Sequence, residues 1–257
     1  MQGRLAIISD VHGNAPALEA VLCEIERDRC DGVICLGDTV GYGASPSECI
    51  SMLLALGTRL RVHVRGNHED ALFDSAAFNE MNVTARRACL YTAARLPLMH
   101  RQWLASTPGI AEFESIQCIH DTPIPASNTY LRDPAAAADA FAGVSRRFCF
   151  VGHTHVPLLF ETSRGDPDCT ARLSEVVAHL LHEDEPFALA DGHRYIINPG
   201  SVGQPRDGDP RASFGMLDLE AGEFQLRRVC YDVGAAQEAM HRAGLPDLLA
   251  ERLGLGA

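Results

Sequence analysis

The chain has 257 residues, 46% of them hydrophobic, which is enough for a sizeable core and, at roughly 100 to 200 residues per domain, for one large or two small domains. Asp and Glu number 34 against 22 Lys and Arg, and the formal charge of -12 excludes binding by broad neutralisation of nucleic-acid phosphates. No apolar run approaches the roughly 20 residues that cross a bilayer, and Met1 to Ser9 carries neither a basic leader nor a small-residue cleavage site. A cytoplasmic protein without a membrane partner is expected.

In chain order, Arg4 to Ile8 reads as a strand, Asn14 as the cap of a helix with Leu18, Val21, Leu22 and Ile25 at helical spacing, and Gly32 to Leu36 as a second strand. Pro46 to Leu56 reads as a helix stopped by Gly57, and Leu60 to Val64 as a third strand. This alternation predicts an α/β architecture with parallel pairing over the first seventy residues. From Glu69 to Ser106 the pattern is helical, clearest over Val83 to Arg95 and interrupted at Pro97. Short apolar runs then return at Phe113 to Ile119, Phe148 to Val151, Leu158 to Glu161, Tyr195 to Ile197, Phe214 to Leu219 and Phe224 to Val229, suiting a second, more antiparallel sheet. Two helices, Val233 to Ala243 and Asp247 to Leu253, close the chain. Excursions are expected at 123–144, irregular, and at 163–192, with a helix around Leu173 to Leu181. No repeat or linker divides the chain, so one domain over 1–257 is expected.

The nine cysteines, Cys23, Cys30, Cys35, Cys49, Cys89, Cys118, Cys149, Cys169 and Cys230, form no C-x-x-C pair and read as free thiols. Cys35, Cys118 and Cys149 sit in apolar runs and read as packing residues. His63, on a strand between valines, reads as structural. His100, His179, His182, His193 and His241 read as surface residues, and Met52, Met81, Met99, Met216 and Trp103 as core.

Asp10, His12, Asp38, Asn67, His68, His120, His153 and His155 each follow a predicted strand. In open α/β sheets ligands bind beyond the carboxyl ends of strands, so these residues can converge on one site. Asp10-x-His12 and His153-x-His155 each place two donors on one side of an extended segment. Gly13, Gly37, Gly66 and Gly152 beside them fit tight turns and close backbone approach to an ion or phosphate. Imidazole, carboxylate and amide oxygen together suit Mn, Fe, Zn, Co or Ni, whereas an all-oxygen set would point to Mg or Ca.

The segments Asp10-Val-His12-Gly13-Asn14, Gly37-Asp38, Gly66-Asn67-His68-Glu69, His120 and Gly152-His153-Thr154-His155 resemble, in the same order, the five motifs of the calcineurin-like metallophosphoesterase superfamily. The strings LGDTVGYGASPSE at 36–48 and NPGSVGQPRDGDPRASF at 198–214 resemble its small, single-domain bacterial phosphoesterases. The resemblance implies a four-layer α/β/β/α sandwich of two mixed sheets flanked by helices. It implies two divalent transition-metal ions per chain, manganese favoured, one on Asp10, His12 and His155 and the other on Asn67, His120 and His153. Asp38 would bridge them with its two oxygens, leaving a local excess of two positive charges.

The implied activity is hydrolysis of a small phosphoester, phosphodiesters foremost, by a hydroxide activated at the two ions. Phosphomonoesters and phosphoproteins remain alternatives, as does a non-catalytic metal-binding scaffold. His68 would steady the phosphate or protonate the leaving alkoxide. Asn14 and Arg206 are substrate-binding candidates, Arg206 giving either a positive contact or a surface salt bridge. Asp121 stands where the family commonly has glycine, and could orient an imidazole, add negative charge near the metals or face solvent.

Overall fold

The computed structural model describes residues 3–124, 130–163 and 171–257. The first half runs β1 (Arg4–Ile8), α1 (Ala15–Arg27), β2 (Gly32–Cys35), α2 (Pro46–Ala55), β3 (Leu60–His63), then α3 (Asn67–Phe73), α4 (Ser75–Glu80), α5 (Val83–Arg95) and α6 (Leu98–Ser106). There follow β4 (Ile110–Phe113), β5 (Ile116–Ile119), α7 (Pro134–Ala140), β6 (Phe148–Phe150), β7 (Leu158–Thr162), β8 (Val176–His179), β9 (Pro186–Ala188) and β10 (Arg194–Asn198). The chain ends with β11 (Ala212–Asp218), β12 (Glu223–Val229), α8 (Val233–Arg242) and α9 (Asp247–Leu255).

Two mixed sheets of six strands result, ordered β3-β2-β1-β11-β12-β9 and β4-β5-β6-β10-β7-β8. Side-chain alternation along β1 shows how they stack. Leu5 and Ile7 face the second sheet, packing in one cluster with Ile116, Phe148, Phe150 and Tyr195, while Ala6 and Ile8 face Leu18, Val21 and Ile25 of α1. On the far side, Cys149 and Ile196 pack under Ala137, Ala140 and Phe141 at the end of α7. The expected four layers follow from this alternation, and burying a side chain such as Ile7 contributes about 1.5 to 3 kcal/mol.

The parallel pairing of β1, β2 and β3 agrees with expectation. The later strands do not form one separate sheet: β11, β12 and β9 return to the first, where β11 pairs antiparallel with β1. Phe113 to Ile119 is not one strand, because Glu114 adopts φ 55° and turns β4 back against β5. The helix expected at Leu173 to Leu181 is instead a 3-10 turn, Leu173–Glu175, followed by β8. β-Branched Val176 and Val177 there find the open edge of β7, and ladder pairing overrides the helical spacing.

The 123–144 excursion contains α7, whose start is fixed by Asp133 accepting hydrogen bonds from the Ala135 and Ala136 amides. Parts of both excursions, 125–129 and 164–170, lie outside the described residues, as does Cys169. The other eight cysteines are free. His100 is buried, its Nδ1 2.8 Å from Ser47 Oγ, rather than at the surface. Met99 is exposed, because α6 turns it outward. His63 is buried, 2.9 Å from Thr39 Oγ1 and stacked on Trp103. No helix among the described residues is long and apolar enough to cross a membrane.

Candidate active site

Parallel strands release their loops on one side, and the loops after β1, β2, β3, β5 and β6 carry the residues singled out in the sequence. The Asp10 amide donates to Gly37 O at 3.1 Å, the His12 amide to Asp38 O at 2.8 Å, and the Gly152 amide to His120 O at 2.8 Å. This lacing forces tight turns. Asp10, His12, Asp38, His153 and His155 all adopt left-handed backbone, with φ between 48° and 66°. Each such residue costs roughly 1 to 3 kcal/mol, and the strain is concentrated at one place. Two glycines make room: a Cβ at Gly66 would overlap the Asp38 carboxylate, and one at Gly41, φ 96°, would overlap the His68 ring.

The ring orientations are fixed by carbonyl groups. His12 Nδ1 lies 3.1 Å from Val40 O, His120 Nδ1 2.7 Å from Leu36 O and His155 Nδ1 2.6 Å from Gln204 O. A carbonyl only accepts, so each Nδ1 carries a proton, and each ring when neutral turns a lone pair inward at Nε2. His12 Nε2 and His155 Nε2 are 3.1 Å apart. Two lone pairs at that distance require positive charge between them.

The carboxylates are divided in the same way. Asp10 Oδ2 accepts from Ser9 Oγ at 2.6 Å, the His153 amide is shared between Oδ2 at 3.1 Å and Oδ1 at 3.3 Å, and Oδ1 lies 3.2 Å from His155 Nε2 and 3.7 Å from His12 Nε2. Asp38 Oδ1 accepts from the His68 amide at 2.9 Å, while Oδ2 lies 3.1 Å from His120 Nε2 and 3.7 Å from His12 Nε2. The expected use of both Asp38 oxygens between two donor sets is therefore revised: Oδ1 is committed to His68, and Oδ2 alone faces both His12 and His120.

Against the opposing effect of burial, the surrounding imidazoles hold Asp10 and Asp38 well below the usual carboxylate range. Burial also opposes charge on His120, yet the Asp38 and Asp10 carboxylates push its imidazole up to about 10. Burial pushes His155 down to about 4 and His68 to about 3. The cluster thus attracts cationic charge while the His155, His68 and His153 rings resist holding a proton. These donors fit divalent metal. Asp10, His12 and His155 form one set of close ligand atoms, and Asp38, His120 and His153 another. Asn67 Oδ1 joins the second at 2.9 Å from His153 Nδ1.

All seven expected ligands are therefore brought together, with His68 beside them in contact with the His12 and Tyr42 rings. Asp38, Asn67, His68, His153 and His155 open on a cavity of about 610 Å³ that is also lined by Asp121, Tyr130 and Arg206. Asp121 forms no hydrogen bond to an imidazole among the described residues. Burial and His120 lower the His153 imidazole, and the Asp121 charge opposes them. Arg206 makes no ion pair among the described residues, which removes the surface salt bridge; its Nη2 donates to Gln204 Oε1 at 3.1 Å. Asn14 does not line the cavity. Its Oδ1 caps α1 by accepting from the Ala17 amide at 3.2 Å and its Nδ2 donates to Gly203 O at 2.9 Å, so both ends of the amide are engaged in structure.

Sequence reasoning gave no role to Glu69. Fully buried, it accepts from the amides of Asp38 at 2.8 Å, Val40 at 3.1 Å and Gly66 at 2.9 Å, tying the Asp38 loop to the start of α3. The signal was present: Glu at the third helical position after Gly66 is half of a capping box. Glu69→Ala leaves three buried donors without acceptors at about 1 to 3 kcal/mol each, so a loss of at least about 3 kcal/mol is expected in urea unfolding. Glu69→Gln, with one accepting oxygen, should fall between alanine and wild type. An alanine variant as stable as wild type would show that water replaces the carboxylate.

Comparison with known proteins agrees with this arrangement. The family model for the calcineurin-like phosphoesterase superfamily domain matches residues 4–222. An uncharacterised protein of Methanocaldococcus jannaschii is 34% identical over 261 residues, covering 100% of this chain and 99% of that protein. A metallophosphoesterase from Sphaerobacter thermophilus has a crystal structure that superposes with TM-score 0.84 at 38% identity, covering all of both chains. A hypothetical protein of Pyrococcus horikoshii, at 18% identity and TM-score 0.78, covers 100% of this chain and 99% of its own and shares the fold. With the family match over residues 4–222 and a relative 34% identical over its whole length, the chain belongs to the calcineurin-like phosphoesterase superfamily, whose members are metal-dependent.

Proposed function

We propose that this protein hydrolyses small phosphoesters, phosphodiesters foremost, using two divalent transition-metal ions, manganese foremost. Asp10, His12 and His155 would hold one ion and Asn67, His120 and His153 the other, with Asp38 shared. The observation that carries this reading is the convergence of the Nε2 atoms of His12, His120 and His155 on carboxylate oxygens of Asp10 and Asp38, 3.1 to 3.8 Å apart, next to a cavity of about 610 Å³ lined by Asp38, His153 and His155. When bound, such ions supply Lewis acidity toward a phosphoryl group and acidify water.

The chain's own residues supply position. Ser9 and the His153 amide fix the Asp10 carboxylate, the His68 amide fixes Asp38, and the three carbonyls fix the rings, so the donors are preorganised before a substrate arrives. His68, at the cavity wall, presents an imidazole to the phosphate or to the leaving oxygen. A cavity of about 610 Å³ lies in the range of sites for compact organic ligands and accommodates substituents on both sides of a phosphodiester. The acidic surface charge of -12 disfavours extended nucleic acid as substrate. Free thiols without a C-x-x-C pair suit a cytoplasmic enzyme.

The test is a metal-reconstituted screen of mono-, di- and pyrophosphate esters with metal content measured on the same samples. Expected are about two equivalents of metal per chain and turnover greatest on diesters with manganese. Preference for monoesters would retain a hydrolase but reject the diester assignment. Metal loading without turnover of any ester would support a non-catalytic scaffold instead.

A further inference from the structure

Resting on the hydrolase reading above, we propose that Arg206 is the phosphate anchor of the cavity. Its guanidinium holds the anionic oxygens of a phosphate, either the group under attack or its neighbour in a pyrophosphate-linked ester. It thereby selects substrates that keep negative charge beside the attacked phosphorus.

Arg206 ends the string from Asn198 and lines the same cavity as Asp38, His68, His153 and His155. Its amide donates to His155 O at 3.2 Å, which fixes the backbone to the ligand loop. The side chain is half-buried, with Nε buried and without a partner and the guanidinium carbon 5.7 Å from the centre of the Tyr42 ring. The partner of its Nη2, Gln204, is neutral.

Neighbouring arginines differ: Arg211 is held by Asp209 and Glu183, and Arg228 by Asp207. Arg206 has no carboxylate partner among the described residues, and its charge adds to burial in lowering the guanidinium of Arg252. The cavity wall also carries Asp38, Glu80 and Asp121, none of which forms an ion pair with Arg206 among the described residues, while the Arg206 charge acts on His155 and Tyr42.

A half-buried cation whose neighbours are the Gln204 amide oxygen and Tyr42, with no carboxylate partner among the described residues, is electrostatically incomplete. An anion completes it. The planar fork of guanidinium donors matches the oxygens of a phosphate, and the unpartnered Nε leaves donor capacity for them.

The experiment titrates inorganic phosphate calorimetrically into metal-loaded wild type, Arg206→Gln and Arg206→Lys, with metal content measured on each. Kinetics follow on bis(4-nitrophenyl) phosphate and on a nitrophenyl ester of a nucleoside diphosphate. Arg206→Gln should weaken phosphate binding on the order of 10- to 100-fold at unchanged metal content, with partial recovery in Arg206→Lys. A matching loss of kcat/KM on both esters supports contact with the attacked group, and a loss confined to the diphosphate ester supports contact with its neighbour. Unchanged phosphate affinity in Arg206→Gln, or loss of metal in parallel with phosphate, would overturn the proposal. A wild type that loads metal but neither binds phosphate nor turns over any ester would instead overturn the hydrolase reading, and the anchor with it.

Discussion

Asp38→Ala is expected to release metal from both donor sets and to abolish turnover, because Asp38 Oδ2 faces His12 on one side and His120 on the other. Loss of an outer partner to a metal ligand typically costs about 10- to 100-fold in affinity, and loss of a shared ligand should exceed that. Asp38→Asn separates the two jobs of the side chain: it can still accept the His68 amide at one oxygen while giving up the charge that faces the imidazoles. Elemental analysis after dialysis, with circular dichroism to establish folding, reads the result. An alanine variant that keeps its full metal complement would remove Asp38 from the ligand set.

The second large effect concerns His68→Ala, for which a fall in kcat of roughly 10²- to 10⁴-fold is expected with metal content preserved. The variant keeps the backbone amide that holds Asp38 Oδ1, so the neighbouring carboxylate should stay in place. Esters of graded leaving-group acidity distinguish the two roles open to the imidazole. If His68 protonates the leaving oxygen, the loss grows as the leaving group becomes more basic; if it steadies the phosphate, the loss is uniform. Wild-type kcat across the series would rule out both.

Much of the site is legible before folding because the chemistry sits in short loops whose local strings are intact. Asp10, His12, Asp38, Asn67, His120, His153 and His155 are each recognisable from their neighbours, and the apolar runs that precede them read as strands. What the sequence does not contain is the identity of pairing partners. The segment after Leu173 carries Val176, Leu180 and Leu181 at spacing compatible with a helix, and only the exposed edge of β7 makes it a strand. The period-2 pattern of Phe214 to Leu219 marks a strand equally well in either sheet, and contact with β1 decides.

Polar roles divide along the same line. Asn14 was legible as a cap from its position before an apolar helix, but its second bond, to Gly203, joins residues 189 apart in sequence and was not. Asp121 could be seen as a departure from the family pattern, while its influence on His153 depends on two loops meeting. His100 looked like one more polar surface residue until Ser47 supplied a buried partner.

The place of β1 in its sheet bears on how the protein is made. β1 lies between β2 and β11, so one of its edges is matched within the first 35 residues and the other only by residues 212–218. During synthesis, every loop that carries a metal donor has left the ribosome by His155, before the strand that closes the open edge of β1 exists. That edge then presents unpaired amide and carbonyl groups beside apolar Leu5 and Ile7 for nearly sixty further residues, at a rate of about 5 to 20 residues per second. A chain cut after His155 would therefore hold the full set of candidate donors beside half a sheet, β3-β2-β1 without β11, β12 and β9, and the long-range closure by β11 makes completion of the fold, rather than synthesis of those loops, the late event.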